Sequence, residues 1–302
     1  MMSIRNFAEL RSACCLGACV VAATIVVAGC GGGSNQQAST QATAAAGSAA
    51  PGGNLLDEVK RRGTLVISTD ANYKPQSFRN PDGSWVGFDV DVGREVAKRL
   101  GVKPQFDTGP FDAITAGSWN GRWDVNIDSM AITKERTRVL WFTEPYYYVP
   151  ASFAVHRASG AHAIQDLAGK KVGVGTATTY EDYLNGKMAN ARIKPPANAD
   201  VVTYDTDVLA LDDLAAGNGT RLDGVLTALP TIRAAINGGA PLRVIEPAAF
   251  EDSSAIALDR NSPAYSAPLL WAIDGIIHDM HRDGTLRKLS LKYYGIDLSI
   301  RR

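Results

Sequence analysis

The chain has 302 residues, and its 31 lysines and arginines balance its 31 aspartates and glutamates, so the formal net charge is zero. A protein that binds nucleic acid concentrates basic side chains to neutralise phosphates, so this balance argues against a nucleic-acid partner. About 250 residues follow Gly53, which is enough for two modest domains or one divided domain.

The first 29 residues are predicted to be a secretion signal rather than part of the fold. Arg5 and Arg11 form a weakly basic start, and residues 13–28 form an uncharged, mostly apolar run that is too short to span a bilayer comfortably. The run ends in VAGC followed by three more glycines, which resembles a bacterial lipobox. The resemblance implies cleavage before Cys30 and lipidation of its thiol and new amino group. The alternative is an ordinary signal with an incidental cysteine.

Cleavage at that point would leave Cys30 as the only cysteine of the mature chain, because Cys14, Cys15 and Cys19 lie within the apolar run. No disulfide, cysteine nucleophile or cysteine metal cluster is then expected. Residues 31–53 contain no charged or aromatic side chain and no periodic apolar face, so they are predicted to be a flexible tether. The predicted product is anchored to the bacterial cell envelope by lipid, outside the cytoplasm, and does not span the membrane.

From residue 54 onward, strands and helices alternate, which predicts a parallel α/β sheet. The first helix is predicted over residues 55–62 and the first buried strand over residues 64–68. Apolar residues four apart then predict a helix over residues 88–100 that stops at Gly101. Later strands are predicted over residues 102–106, 124–127, 172–174, 201–204, 222–227, 242–245 and 255–258, and helices over residues 111–119, 179–189, 207–216, 230–236 and a last long segment that ends before Gly284.

The segment that begins at Trp123, WDVNIDSMAITKERTRVLWFTEPYY, carries the most informative pattern. It starts as a strand, breaks at Asp128 and Ser129, and is predicted to restart as a helix with Thr133 as the N-cap. Arg136 then falls in the first helical turn, where unpaired N–H groups and the helix dipole favour an anion. A guanidinium in that place can hold a carboxylate by two parallel hydrogen bonds. The alternative is an ordinary capped helix with Arg136 in a surface ion pair.

Together these segments resemble the bacterial extracellular solute-binding proteins of family 3, the polar-amino-acid receptors of ABC importers. The resemblance covers residues 55–298 and rests on LVISTDANYKP, GFDVDVGREVAKRLG, SMAITKERTRVLWFTEPYY, DLAGKKVGVGT, RLDGVLT and DGTLRKLSLKYYG. It implies an α/β, type II periplasmic-binding-protein-like fold in which two lobes close on a small ligand. The first lobe would contain residues 54–148 and 251–302 and the second residues 149–250, with hinge strands near Val149 and Pro247.

The resemblance also implies a ligand site between the lobes. Together with Asp128, which is discussed below, the predicted site residues are Asp70, Tyr73, Phe111, Ser129, Ala131, Arg136, Thr176 and Thr179.

The family gives these residues distinct roles. Arg136 matches the arginine that takes the ligand carboxylate, and Thr179 matches a residue of the second lobe that closes onto it. Tyr73 and Phe111 match aromatic residues that sandwich the ligand side chain, and Asp70 matches an acid at the cleft edge. Simpler interpretations stay open: the two aromatic residues could be core residues, Asp70 a turn cap and Thr179 an N-cap.

Three positions depart from the family pattern. Most relatives have an aspartate that pairs with the ligand ammonium where this chain has Ala228, and a serine or threonine where it has Ala131. In turn, Asp128 replaces a small residue. We hypothesise that Asp128 and Asp70 hold a cationic group, or that the ligand has no ordinary α-ammonium, because a buried carboxylate needs a partner. The alternative is that Asp128 faces a helix end or water outside the pocket.

Two classes of function fit the resemblance. The first is a receptor that delivers a polar or basic amino acid to the permease subunits of an importer and performs no chemistry. The second is an enzyme, since cyclohexadienyl dehydratases are similar to this family; Asp128 or Glu181 would then protonate a leaving hydroxyl. The lipobox and tether favour the receptor. A ligand-sensing subunit of a membrane receptor would use the same cleft.

No metal or other cofactor is expected. His278 and His281 are three residues apart on a predicted helix, but the sequence places no third ligand near them. Gly173 and Gly175 begin a GxG motif, but Thr178 occupies the position of the third glycine, so nucleotide binding is unsupported.

Overall fold

The computed structural model describes residues 53–188 and 191–301. The predicted signal, Cys30 and nearly all of the tether therefore lie outside the described residues. Within the described ranges, no helix is long and apolar enough to cross a membrane.

The described chain alternates between helices and strands, as predicted. The helices are α1 Leu55–Arg62, α2 Phe88–Leu100, α3 Phe111–Thr115, α4 Thr179–Leu184, α5 Asp207–Ala215, α6 Leu229–Asn237, α7 Ala267–Arg282 and α8 Thr285–Tyr294, with short 3₁₀ helices at Arg136–Arg138 and Ile164–Leu167. The strands are β1 Thr64–Ser68, β2 Asn72–Tyr73, β3 Ser77–Arg79, β4 Trp85–Val86, β5 Lys103–Asp107, β6 Val125–Asn126, β7 Leu140–His156, β8 Lys171–Gly175, β9 Asp200–Tyr204, β10 Gly224–Ala228 and β11 Leu242–Asp259.

Eight strands form one mixed sheet in the order β5-β1-β6-β11-β7-β10-β8-β9, and β2, β3 and β4 form a small second sheet. Strands β5, β1 and β6 are parallel to one another, and so are β10, β8 and β9. The two central strands, β7 and β11, pair antiparallel. The predicted parallel sheet is thus correct for each outer group and wrong for the centre, because β7 and β11 run in opposite directions between the two groups.

Those two central strands connect the two halves of the molecule. We call the part with β1, β5, β6 and the small sheet the first lobe, and the part with β8, β9 and β10 the second lobe. The predicted separate strands at residues 242–245 and 255–258 are one strand, β11, with register shifts between Ile245 and Phe250 and again near Ala255. The predicted hinge positions Val149 and Pro247 both lie within these long strands. The exact lobe boundaries stay a prediction.

Three predicted helices are shorter than expected, and two of them end at glycines. The helix predicted from residue 111 ends at Thr115, shortly before Gly117 at φ +71, and the helix predicted from residue 179 ends at Leu184, before Gly186 at φ +72. Such backbone angles suit glycine and terminate a helix. The helix predicted from Thr133 is only the 3₁₀ turn at residues 136–138, because strand β7 begins two residues later.

Candidate ligand-binding site

The candidate site is a cavity between the lobes, and its lining comes from both of them. The lining residues are Asp70, Tyr73, Phe111, Asp128, Ser129, Ala131, Arg136, Gly175, Thr176, Thr178, Thr179, Tyr180, Asp205, Thr206, Asp207 and Asp252. All nine residues that the sequence predicts as ligand contacts are in this lining. The structure thus brings them together, and their contact with a ligand stays a prediction.

Several polar residues of the cavity follow the carboxyl ends of parallel strands. Asp70 and Asp128 come shortly after the neighbouring strands β1 and β6, and Thr176 and Asp205 come directly after the neighbouring strands β8 and β9. Parallel neighbours end on the same edge of a sheet, so loops far apart in sequence meet there. Each lobe therefore contributes a pair of such loops to one cavity.

Arg136 is buried, with 7% of its surface exposed, so it is not part of a surface ion pair. Its Nη1 donates to the Ala131 carbonyl at 2.9 Å, and its Nη2 donates across the cleft to the Ala177 carbonyl at 2.8 Å. Thr133, the predicted N-cap, accepts from Arg136 N through Oγ1 at 3.1 Å, although Glu135 occupies the N-cap position of the short turn that carries the arginine. Burial lowers the pKa of Arg136, and the negative charges of Asp252 and Asp182 oppose this decrease. The site thus holds a desolvated guanidinium whose described hydrogen bonds go to neutral carbonyls.

Asp252, on β11, is the carboxylate that acts most strongly on Arg136, and sequence reasoning missed it. It accepts a hydrogen bond from Thr179 Oγ1 at 2.5 Å. Burial raises the pKa of Asp252 to about 6, although the bond from Thr179 and the charge of Arg136 oppose the rise. Thr179 is not the helix cap, since Thr178 caps α4 by accepting from Glu181 N. Thr179 is therefore free to bridge the second lobe and the connecting strand.

Three other carboxylates meet in the cavity, away from the arginine. Asp128 accepts from Asp70 N at 3.0 Å and from Ser77 Oγ at 3.3 Å, and only 5% of it is exposed, so it does not face water outside the pocket. Burial, followed by the charges of Asp70 and Asp89, raises the pKa of Asp128 well above its usual range. Burial also raises the pKa of Asp70, and it raises the pKa of Asp207 to about 7, with a contribution from the Asp70 charge.

Since Asp70 and Asp128 come from the first lobe and Asp207 from the second, the carboxylates approach one another across the cleft. The charges that perturb them are those of other aspartates, and no basic side chain is among them. Buried like charges destabilise one another unless they are protonated or neutralised by a cation. This end of the cavity is therefore suited to a cationic group.

Asp89 of α2 does not line the cavity, but it supports the part of the wall that Ser129 forms. Its two carboxylate oxygens accept from Ser129 Oγ at 2.6 Å and from Tyr146 OH at 2.8 Å, and Ser129 N donates to the same Tyr146 oxygen at 2.9 Å. These bonds fix Ser129 in the left-handed region, at φ +51, which is uncommon for a residue with a side chain. Burial raises the pKa of Asp89 to about 7.

Aromatic side chains line the cavity between its charged groups. The Phe111 ring lies 5.3 Å from the Arg136 guanidinium, and Tyr73 OH lies 3.4 Å from Tyr180 OH of the second lobe. Tyr73 and Phe111 also pack against buried core clusters, of which the one beside Tyr73 extends into both lobes, so the simpler core interpretation holds as well. Asp70 likewise lines the cavity and caps a turn, because it accepts from Asn72 N at 2.7 Å.

Several residues considered from sequence lie outside this cavity. Ala228 is fully buried at the end of β10 and does not contribute to the lining. Glu181 accepts from Ala177 N at 2.8 Å and lines a neighbouring depression instead. His278 pairs with Glu144 and His281 contacts the Pro145 carbonyl, and the described residues contain no cluster of three or more candidate metal ligands.

Some of the lining residues that sequence reasoning missed had a local signal and others had none. Asp205 and Thr206 lie between a predicted strand and a predicted helix, as Thr176 does, and Asp207 begins that helix. Gly175 packs directly against Asp207, since a Cβ at Gly175 would lie only 2.8 Å from Asp207 Oδ1. Asp252 had no such signal, because it lies inside a strand and reaches the cavity only through tertiary pairing with β7.

Comparison with known proteins identifies related sequences. A sequence model of the bacterial extracellular solute-binding proteins, family 3, matches residues 65–296. The L-cystine-binding protein TcyJ of Escherichia coli (strain K12) is 33% identical over 248 residues, which cover 81% of this chain and 88% of that protein.

Two solved structures extend the comparison to the fold. An ancestral arginine-binding protein bound to arginine has a TM-score of 0.67 and 31% identity, and the match covers 78% of this chain and 99% of that one. The ancestral amino acid-binding protein AncCDT-1, a precursor of cyclohexadienyl dehydratase, has a TM-score of 0.68 and 28% identity over 79% of this chain and 99% of that one. The predicted two-lobed, type II architecture is thereby confirmed.

The buried Asp207 gives a testable dependence of stability on pH. Its pKa is about 7 in the folded protein and about 3.9 in an unfolded chain. Between these values the folded form holds a proton that the unfolded form lacks, so this group lowers the free energy of unfolding as the pH rises towards 7 and has a constant effect above it. Asp207→Asn removes the dependence. The free energy of unfolding of the variant relative to wild type should therefore be higher at about pH 8 than at about pH 5.

Urea unfolding of the ligand-free protein at both pH values measures this difference. Asp57→Asn, at an exposed carboxylate of α1, is the control and should give the same difference at both. A pH-independent effect of Asp207→Asn would contradict the assignment.

Proposed function

Because the chain belongs to the bacterial extracellular solute-binding proteins, family 3, we propose that it captures an amino acid with a cationic side chain or second ammonium group for an ABC importer. In this proposal the two lobes close on the ligand, and the permease subunits of the importer recognise the closed form. The proteins similar to it include one described as binding L-cystine and one bound to arginine. Both amino acids carry more than one cationic group.

The separation of charge within the cavity supports this proposal most directly. Arg136, whose pKa responds to Asp252 and Asp182, provides one end for a carboxylate. Asp70, Asp128 and Asp207 provide another end, where only acidic charges perturb one another. A zwitterion with an extra positive charge would pair with both ends at once. A cation here would also offset the desolvation of carboxylates that have no basic partner.

The remaining residues complete the proposed site. Ser129, Ala131, Thr176 and Thr179 would surround the ligand carboxylate, and Tyr73 and Phe111 would enclose the ligand side chain. The ligand carboxylate would displace the Ala177 carbonyl from Arg136, because a charged acceptor forms the stronger hydrogen bond. We keep the proposed lobe boundaries of residues 54–148 with 251–302, and residues 149–250.

We also propose that Cys30 carries the lipid that anchors the protein to the envelope membrane, with residues 31–53 as the tether. Two or more acyl chains give stable anchoring without a spanning helix. Mass spectrometry of the mature N-terminal peptide should find a modified Cys30, and Cys30→Ala should move the protein from the membrane fraction to the soluble fraction. An unmodified Cys30 in the mature chain would overturn this part of the proposal.

A dehydratase is the second candidate, and one observation favours it. Asp128 is a buried acid of strongly raised pKa in the cavity, as a proton donor requires. Of the two acids proposed from sequence, Glu181 does not line this cavity. The neighbour AncCDT-1 is described as an amino-acid-binding precursor of such an enzyme. Turnover of prephenate by the purified protein would favour this candidate over the receptor.

The binding proposal predicts that Arg136 is essential for ligand capture. In a thermal-shift screen of residues 54–302 against amino acids and prephenate, a cationic amino acid should raise the melting temperature in a concentration-dependent way. Arg136→Met should weaken its binding by about 100-fold, since it removes charge-assisted hydrogen bonds to the carboxylate. Arg138→Met, at an exposed arginine of the same turn, should bind normally. A protein that binds no amino acid would refute the proposal.

The acidic cluster predicts selectivity for positive charge. Asp128→Asn and Asp70→Asn should each reduce the affinity for arginine by about 10- to 100-fold and change the affinity for citrulline, its neutral analogue, by about threefold at most. Isothermal titration calorimetry gives both affinities, with Asp57→Asn as the control. Equal losses for the two ligands would indicate a structural role for the acids rather than recognition of charge.

The hypothesis that Asp128 replaces the aspartate that most relatives have at position 228 is tested by restoring that aspartate. Ala228→Asp would place a carboxylate at the position where most relatives have it, and we expect it to alter the arginine-to-citrulline preference. If affinity and preference both stay unchanged, there is no reason to treat Asp128 as a replacement for that acid.

A further inference from the structure

Five side-chain hydrogen bonds among the described residues join the proposed first lobe to the second. Four of them involve residues that line the cavity: Arg136 with Ala177, Tyr73 with Tyr180, Asn72 with Thr206, and Asp252 with Thr179. The fifth pair, Gln76 with Thr231, has neither member in the lining. It is therefore a contact between the lobes that a ligand in the cavity does not touch.

The Gln76–Thr231 contact is fully enclosed. Gln76 is 0% exposed and Thr231 1% exposed. Gln76 Nε2 donates to Thr231 Oγ1 at 3.0 Å, and Thr231 Oγ1 lies 3.3 Å from Gln76 Oε1, to which it can donate. The Thr231 hydroxyl can thus accept a hydrogen bond from the nitrogen of the Gln76 amide and donate one to its oxygen. A buried amide or hydroxyl without a partner is costly, so each side chain depends on the other when the lobes are closed.

Both side chains are presented from rigid backbone. Gln76 O accepts from Asp89 N at 2.8 Å, and Gly87 packs so closely that a Cβ there would lie 2.2 Å from the same oxygen. Thr231 lies in the first turn of α6, directly after Pro230. The pair therefore meets in one arrangement of the two lobes and separates when they move apart.

From these contacts we infer that Gln76 and Thr231 form a latch that stabilises the closed arrangement and sets the affinity for every ligand by a common factor. The inference rests on the proposed function, because it assumes that the lobes close on a ligand. The observed dissociation constant equals the intrinsic one divided by the closed fraction. A change in the latch alters that fraction for all ligands alike, whereas a change in the cavity alters each ligand differently.

The latch has a distinctive response to substitution. Thr231→Val keeps the shape of the side chain but leaves the Gln76 amide buried without a partner, and Gln76→Met leaves the Thr231 hydroxyl in the same state. Removal of both polar groups together can be nearly neutral. Each single variant should therefore open the ligand-free protein and weaken binding, whereas the double variant should recover both properties.

The test measures two quantities on residues 54–302 for the wild type, both single variants, the double variant and Thr231→Ser. The first is the distance between fluorophores placed on the exposed residues Lys98 and Lys187, one in each lobe, without ligand. The second is the dissociation constant for L-arginine and for L-lysine by calorimetry. Urea unfolding confirms that every variant is folded.

We expect Thr231→Val and Gln76→Met to lengthen the distance and to raise both dissociation constants by the same factor, about 5- to 150-fold. Thr231→Ser, which keeps the hydroxyl, should resemble wild type. Unchanged distances and affinities in the single variants would overturn the latch, and so would unequal factors for the two ligands or a double variant weaker than both single ones. If wild type binds neither arginine nor lysine, the distance measurement alone decides whether the pair holds the lobes together, and the thermal-shift screen against all amino acids decides the proposed function separately.

Discussion

Desolvation of charged groups is the constraint on which the site depends. Closure of two lobes places Arg136 and several aspartates in a space with little water, where each charge needs a partner. The protein meets this need for Arg136 with two backbone carbonyls and the nearby Asp252. It leaves Asp70, Asp128 and Asp207 with raised pKa values and no basic neighbour among the charges that perturb them. In the proposed function, a ligand that supplies the missing cation would stabilise the closed form, which would link recognition directly to closure.

The sheet topology explains why such a site can exist between two lobes. Strands β7 and β11 are shared by both halves, so the parallel strands of each half end beside the same cleft. Loops after four of these strands deliver the acids and the threonines. Asp252 enters from one of the shared strands and bonds to Thr179 of the second lobe. Movement of the lobes thus changes the surroundings of Arg136, even without a ligand contact.

Much of the cavity lining could be predicted from the resemblance of the sequence to the family, and four of the predicted residues also occupy local signals. Asp70, Asp128 and Thr176 each follow a recognisable strand, and Arg136 follows a cap residue. The 3₁₀ turn at Arg136 could not be predicted, because the competing strand β7 is stabilised by pairing with β11, more than a hundred residues away. Asp252 was missed for the same reason, because no local sequence feature distinguishes an aspartate that reaches a cavity from any other aspartate in a strand. The Gln76–Thr231 pair could not be predicted either, because it forms only where the two lobes meet and no local sequence pattern indicates that contact.

Because the Gln76–Thr231 pair lies outside the cavity, it separates affinity from selectivity, two properties that are often coupled. Selectivity is a difference between the affinities of two ligands, so any free energy that both complexes share cancels from it. A buried contact outside the cavity contributes such a shared term, because it forms whenever the lobes close. The residues in the cavity then determine the intrinsic affinity for each ligand, and therefore which ligand is preferred. Substitutions at Gln76 or Thr231 can therefore adjust affinity without disturbing the arrangement of Arg136 and the acidic cluster.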